Sequence, residues 1–150
     1  MGAGVFIVAG EISGDMQAAD LASALRSRRP DLPLAGIGGA RMAASGVRIL
    51  QDSTTWGVIG YVDPLLRIRT YLRRLRFVES AVRAVRPDVL VLVDFAAFNL
   101  RLAERLGMAI PIVYYSPPMV SVRKGDRARK GARLRMRLLA TLRREAEAYA

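Results

Sequence analysis

Two unbroken apolar runs, Val5–Ala9 and Val89–Val93, stand out along the chain. Valine, isoleucine and leucine without polar interruption suit strands buried on both faces, as at the centre of a parallel sheet. Leu34–Ile37, Val47–Leu50 and Ile110–Tyr115 read as further strands, and Leu138–Leu142 as either a sixth strand or part of a long final helix. Between them the spacing turns helical. Met16–Arg28 carries Leu21, Ala22, Ala24 and Leu25, and Pro30 and Pro33 end it. Gly38–Met42 opens a short helical turn that stops at Gly46. Pro64 suits a first helical position, with Asp63 before it as N-cap. The helix then runs to about Val85, with Leu65, Ile68, Leu72, Leu75, Val78 and Val82 on one face and arginines on the other. A helix from about Leu100 to Leu106 stops at Gly107, and Arg143–Tyr149 is helical by composition. Strand and helix alternate, so the chain is expected to form one α/β domain over residues 1–150, a doubly wound, Rossmann-like parallel sheet.

Composition narrows the chemistry. At 52% apolar residues the chain is not disordered in the main. It has neither cysteine nor histidine, which removes disulfides, thiolate nucleophiles, Cys/His zinc sites and any Ser-His or Cys-His pair. Acid–base chemistry then falls to carboxylates, lysine or tyrosine. A net charge of +11, mostly arginine, draws the chain to anions: phosphorylated substrates, nucleic acid or an acidic membrane surface. No apolar run approaches the roughly 20 residues that span a bilayer, and the N-terminus lacks the basic start of a signal peptide.

Asp94 ends the second buried run, between Val93 and Phe95. Open α/β sheets bind ligands at the carboxyl ends of their strands. The acid is therefore either aimed at a ligand or a cap for the helix that follows. Gly10–Asp15 reads as a tight turn joining the first strand to the first helix. Gly10 and Gly14 allow close backbone approach there, and Ser13 with the following amides suits an anion or sugar hydroxyls. Glu11 and Asp15 favour hydroxyl groups over phosphate, and the absence of Gly-x-Gly-x-x-Gly gives no sign of a nicotinamide cofactor. Gly36-Ile-Gly-Gly39 reads as a sharp turn. Trp56, Ile59, Tyr61, Val62, Leu65 and Leu66 lead into the arginine-faced helix. That stretch is either a lipid-facing surface or an ordinary amphipathic helix on the sheet. The basic segment Arg123–Arg137 carries no nucleic-acid-binding signature and no interleaved aromatics, so no nucleic-acid partner is expected.

These blocks, in order, resemble the lipid-A-disaccharide synthase family. Val8-Ala-Gly-Glu-Ile-Ser-Gly-Asp15 resembles its Ala-Gly-Glu-x-Ser-Gly-Asp motif, and Gly36-Ile-Gly-Gly-Ala-Arg-Met42 its Gly-x-Gly-Gly-x-Arg-Met block. Ile59-Gly-Tyr-Val-Asp-Pro-Leu65 is similar to Met-Gly-x-x-Glu-Val-Leu. Val93-Asp-Phe-Ala-Ala-Phe-Asn-Leu100 is similar to Ile-Asp-x-Pro-Asp-Phe-Asn-Leu. Tyr115-Ser-Pro-Pro118 falls where the family has Ser-Pro-Ser. The chain departs from the pattern at Ala96, Ala97, Asp63 and Pro118, and at Val120 and Val122 where tryptophans are usual.

The resemblance implies the N-terminal domain of a GT-B glycosyltransferase. The family inverts the anomeric centre, uses no metal or other cofactor, and joins UDP-2,3-diacylglucosamine to 2,3-diacylglucosamine 1-phosphate (lipid X). The family's general base falls on Asp94, and substrate contacts on Glu11, Ser13, Gly14, Asp15, Asn99 and Ser116. The expected membrane-facing residues are Tyr61, Val62, Leu65 and Arg69, on a cytoplasmic protein peripheral to the inner membrane. The donor-binding domain of the family has no counterpart before Ala150. The expectation is therefore an acceptor-side half that needs a C-terminal donor domain or a partner chain for turnover. The alternative is a non-catalytic basic module that binds anionic lipid or a protein partner.

Overall fold

The computed structural model describes residues 4–57 and 64–115, together with the backbone of 137–139. In chain order these form β1 (Val5–Ala9), α1 (Glu11–Arg28), β2 (Leu34–Gly38), α2 (Ala40–Ala44) and β3 (Arg48–Asp52). Then follow α3 (Pro64–Val85), β4 (Val89–Val93), α4 (Ala96–Leu106), β5 (Ile112–Tyr115) and β6 (Arg137–Leu139). The six strands make one sheet in the order β3-β2-β1-β4-β5-β6, and every described pairing is parallel. This is the doubly wound Rossmann-like arrangement, with the two apolar runs paired at its centre, Val5 beside Val89 through Ala9 beside Val93. The strand order reverses between β1 and β4, and there such sheets open their ligand crevice.

Alternation along the central strands divides the core in two. Phe6, Val8, Leu90 and Leu92 face Leu75, Val78 and Val82 of α3 and Phe98 and Leu102 of α4. Ile7, Ala9, Val91 and Val93 face Ala18 and Ala22 of α1 and Met42 of α2. The small residues of α1 let its axis lie close to the sheet. Each fully buried leucine, valine or phenylalanine contributes on the order of 1.5–3 kcal/mol.

Several boundaries differ from those the pattern predicts. α1 starts at Glu11 rather than Met16, so Glu11–Asp15 is its first turn and not a loop. Gly14 lies within this turn, packed against the ends of β1 and β4. α4 starts at Ala96 rather than near Leu100. β5 starts after Pro111, which has no N–H for the ladder; the Pro111 carbonyl accepts from Leu90 instead. Gly36 lies inside β2 opposite Ile7, within the strand expected over Leu34–Ile37, but β2 runs on to Gly38, so only Gly39 of the expected sharp turn lies outside the strand. Leu138 and Leu139 belong to β6, which resolves the choice between strand and helix at that point.

On α3 the apolar face is only partly covered. Leu75, Val78 and Val82 are fully buried, whereas Leu65, Ile68 and Leu72 nearer its start are 68%, 56% and 40% exposed. At its other end Glu79 ties α3 to α4. It accepts from Arg105 Nε at 2.6 Å and from Arg83 at 3.1 Å. The Arg105 hydrogen bond, more than that of Arg83, holds the Glu79 carboxyl below the usual range. A depressed carboxyl stabilises the fold above its unfolded pKa, near 4.3, and the contribution disappears as pH falls through the folded value. Glu79→Gln should therefore be less stable at neutral pH, by up to about 1 kcal/mol for so exposed a cluster. The deficit should shrink towards pH 3 in urea titrations; a deficit independent of pH would refute the ionic origin.

Candidate functional site

β4 leaves the sheet on two consecutive left-handed residues. Asp94 and Phe95 both have φ of 48°. For an L-residue this costs about 1–2 kcal/mol, so the surroundings must impose it. Asn99, wholly buried on the first turn of α4, donates Nδ2 to the carbonyls of Val93 and Asp94 at 3.2 and 2.9 Å. The Tyr114 hydroxyl donates to the same Asp94 carbonyl at 2.6 Å. The Phe95 ring stacks on Phe98 at 5.1 Å between centroids. It also covers Gly10, where a Cβ would come within 2.4 Å of the ring. Glycine at position 10 thus makes room for Phe95 rather than for a ligand.

The Asp94 side chain is half-buried at this corner. The N-cap of α4 is Phe95, and no side chain caps that helix. Of the two readings open at Asp94, capping is therefore not the one the structure shows. Among the described residues the Asp94 carboxylate has no hydrogen-bond or salt-bridge partner. Asn99, expected as a ligand contact, stands behind the acid with no exposed surface, and its Nδ2 is engaged by backbone.

The matching corner at the end of β1 carries Glu11, also left-handed with φ of 65°. Its amide donates to the Ser53 carbonyl at 3.4 Å, and its carboxylate lies against Gly57. Ser53 in turn donates its Oγ to the Ala9 carbonyl at 2.5 Å. Glu11, Ile12 and Ser13 are exposed in the first turn of α1. Gly14 is buried, and a Cβ there would meet Ala9 and the Val93 carbonyl at ordinary distances of 3.5–3.8 Å. It faces the sheet and not the crevice.

Asp15 also turns inward. It is 3% exposed, and its oxygens accept from the amides of Gly39 at 2.7 Å, Arg41 at 3.1 Å and Met42 at 3.2 Å. The carboxylate of one helix caps the start of another, α2, which has no capping side chain of its own. Gly39 permits the approach, since a Cβ there would sit 2.7 Å from Asp15 Oδ2. The two acids of the first motif thus separate, with Glu11 at the crevice and Asp15 bonded within the fold.

The structure brings Glu11, Ser13 and Asp94 to the carboxyl ends of β1 and β4, at the reversal of strand order. Glu11, Asp94 and Phe95 are three of the four non-glycine residues with positive φ among the described residues. The fourth, Arg86, precedes β4 at the opposite end. Strain concentrated in this way is typical of functional corners. Leu65 and Arg69 lie on the exposed start of α3. Ser116, Tyr61 and Val62 lie outside the described residues, as do Arg143–Tyr149 and the basic segment apart from the backbone of Arg137. Phe95 and Tyr114 escape sequence reasoning. Period-two alternation with Ile112 places Tyr114 on the buried face of β5, but nothing in the pattern shows what its hydroxyl meets.

The sheet order and the acid-bearing corner define a Rossmann-like α/β domain whose strand order reverses between β1 and β4. The chain belongs to the lipid-A-disaccharide synthetase family, whose model matches residues 5–150. It is 44% identical over 146 residues to the lipid-A-disaccharide synthase of Myxococcus xanthus, covering 97% of this chain and 38% of that protein. To the enzyme of the same name from Anaeromyxobacter sp. (strain K) it is 39% identical over 139 residues, 92% of this chain and 36% of the relative. To lipid-A-disaccharide synthase 1 of Legionella pneumophila (strain Philadelphia 1) it is 38% identical over 125 residues, 82% and 33% respectively. The chain thus spans between a third and two fifths of the length of these curated relatives.

Replacing Asp15 by alanine should leave three amides at the start of α2 without their acceptor. The expected loss is about 2 kcal/mol of stability, with Asp15→Asn losing less because one acceptor oxygen remains. An unchanged urea midpoint for Asp15→Ala would exclude the capping role.

Proposed function

We propose that this chain is the acceptor-side part of a lipid-A-disaccharide synthase, with Asp94 as the general base. The observation that carries this reading is the Asp94 corner. An accessible carboxylate lies at the crevice end of a central strand, on strained backbone, with no internal partner among the described residues. In the reaction, Asp94 accepts the proton of the acceptor's 6-hydroxyl. That oxygen attacks the anomeric carbon of UDP-2,3-diacylglucosamine from the face opposite UDP. The new C–O bond forms as the bond to UDP breaks, and UDP leaves with the electron pair, inverting the centre. The acceptor is lipid X. Glu11 and Ser13, exposed on the first turn of α1, take substrate hydroxyls. Ser116, the residue after β5 in the sequence, is a further candidate substrate contact in this reading. Asn99 and Asp15 support the site from within the fold. The donor sugar nucleotide is held by the remainder of the protein or by a partner chain.

Both substrates carry acyl chains, and the exposed start of α3 supplies a matching surface. Leu65, Leu66, Ile68 and Leu72 are 68%, 54%, 56% and 40% exposed, interleaved with Arg67, Arg69 and Arg73. Apolar side chains among arginines suit the boundary between acyl chains and anionic headgroups. No helix among the described residues is long and apolar enough to cross a membrane. The reading is a protein held peripherally on the cytoplasmic face of the inner membrane, with Tyr61 and Val62, which precede α3 in the sequence, as further candidate membrane contacts.

Asp94→Asn in the complete enzyme should lower the rate of disaccharide formation by at least about 10²-fold, the usual worth of a positioned base, with little change in thermal midpoint. Asp94→Gly should also be inactive yet more stable, by about 1 kcal/mol, because glycine adopts the left-handed conformation without strain. Transfer at the wild-type rate by either variant would remove Asp94 from the mechanism. Serine at Leu66, Ile68 and Leu72 together should weaken binding to vesicles containing anionic phospholipid by about tenfold or more. Co-sedimentation equal to wild type would place the membrane contact elsewhere.

A further inference from the structure

Tyr114 enters the site from β5, and neither strand pattern nor family motif singles it out. It is 1% exposed, and its hydroxyl donates to the main-chain carbonyl of Asp94 at 2.6 Å. The Asn99 amide reaches the same oxygen at 2.9 Å. A carbonyl has two lone pairs, so one oxygen satisfies both donors. The peptide they grip joins Asp94 to Phe95, the two residues with φ of 48°. Rotation of that peptide is the direct route by which the strained pair would relax. Because the carboxylate is attached at the same Cα, such a rotation re-aims it.

We propose that Tyr114 is a positioning residue. Its buried hydroxyl, acting with the Asn99 amide, fixes the Asp94–Phe95 peptide and so sets the direction of the Asp94 carboxylate. The two donors come from different elements, β5 and α4, so the direction of the acid is tied to the packing of both on β4. Asp94 itself has no side-chain partner among the described residues to aim it, which leaves its backbone as the means of orientation. A buried hydroxyl needs a partner, and a phenylalanine would fill the same strand position without one. This proposal rests on Asp94 being the base, and small displacements of a reacting group lower rates steeply.

In the complete enzyme, Tyr114→Phe removes one oxygen and keeps the ring. The expected result is a fall in kcat of about tenfold or more with KM within about twofold. Rates are compared below the unfolding midpoint of every variant, because a purely structural role would lower the midpoint and leave kcat intact. In an Asp94→Asn background the same substitution should cause no further fall, since the group that Tyr114 orients is already gone. Normal kcat in Tyr114→Phe alone overturns the positioning role and leaves the base intact. An equal fall with and without the Asp94 carboxylate also overturns it, because the hydroxyl would then act by another route. Wild-type turnover by Asp94→Asn overturns the base itself, and this proposal with it.

Discussion

One oxygen, the main-chain carbonyl of Asp94, is the point on which the crevice side of this domain is fixed. It receives a tyrosine hydroxyl from one strand and an asparagine amide from the following helix. Those bonds hold two left-handed residues in succession, and the second of them sends its ring across to Gly10 at the end of β1. The two halves of the sheet therefore meet at the reversal of strand order through an aromatic contact that only a glycine admits. Left-handed geometry also starts α4 immediately, which brings Phe98 under Phe95 and Asn99 under the acid. Backbone strain and helix start are consequences of the same corner.

A second, independent tie secures the β1 side. Asp15 reaches from α1 to three amides at the start of α2, and Ser53 closes onto the Ala9 carbonyl. These bonds keep the first turn of α1 in place while leaving Glu11 and Ser13 outward. Residues adjacent in one short motif thus divide between supporting the crevice and facing it. The division follows from helical geometry: Gly14 and Asp15 point to the sheet and α2, and Glu11 through Ser13 point away.

The central strands were legible because nothing but burial on both faces explains unbroken runs such as Val5–Ala9 and Val89–Val93. Both were read to their ends, and α3 likewise from Pro64 to Val85. The starts of α1 and α4 were not, because each is set by tertiary contacts rather than by a local cap. Gly10 and Phe95 precede these helices without any capping side chain. Asp94 was legible as an acid at a strand end, but its freedom from capping depends on φ angles that no local pattern encodes. Asn99 was legible by motif, but its burial and its bonds to the Val93 and Asp94 carbonyls were not, since they are properties of the packed corner. Asp15 shows the same limit: its partners lie in another helix, well separated along the chain.

The departures from the family motif gain a physical meaning at this corner. Ala96 is the first residue of α4, the helical position where a proline's missing N–H matters least, so alanine there leaves the helix intact. Ala97 is exposed, and its carbonyl, not its side chain, meets the Tyr71 hydroxyl at 3.4 Å. An acid at position 97 would project outward without touching the bonds that hold Asp94. By contrast Phe98 and Asn99, which match the motif, are the residues that the left-handed pair needs beneath it. The sequence therefore varies where the side chain leaves the corner and keeps the motif's residue types where they build it.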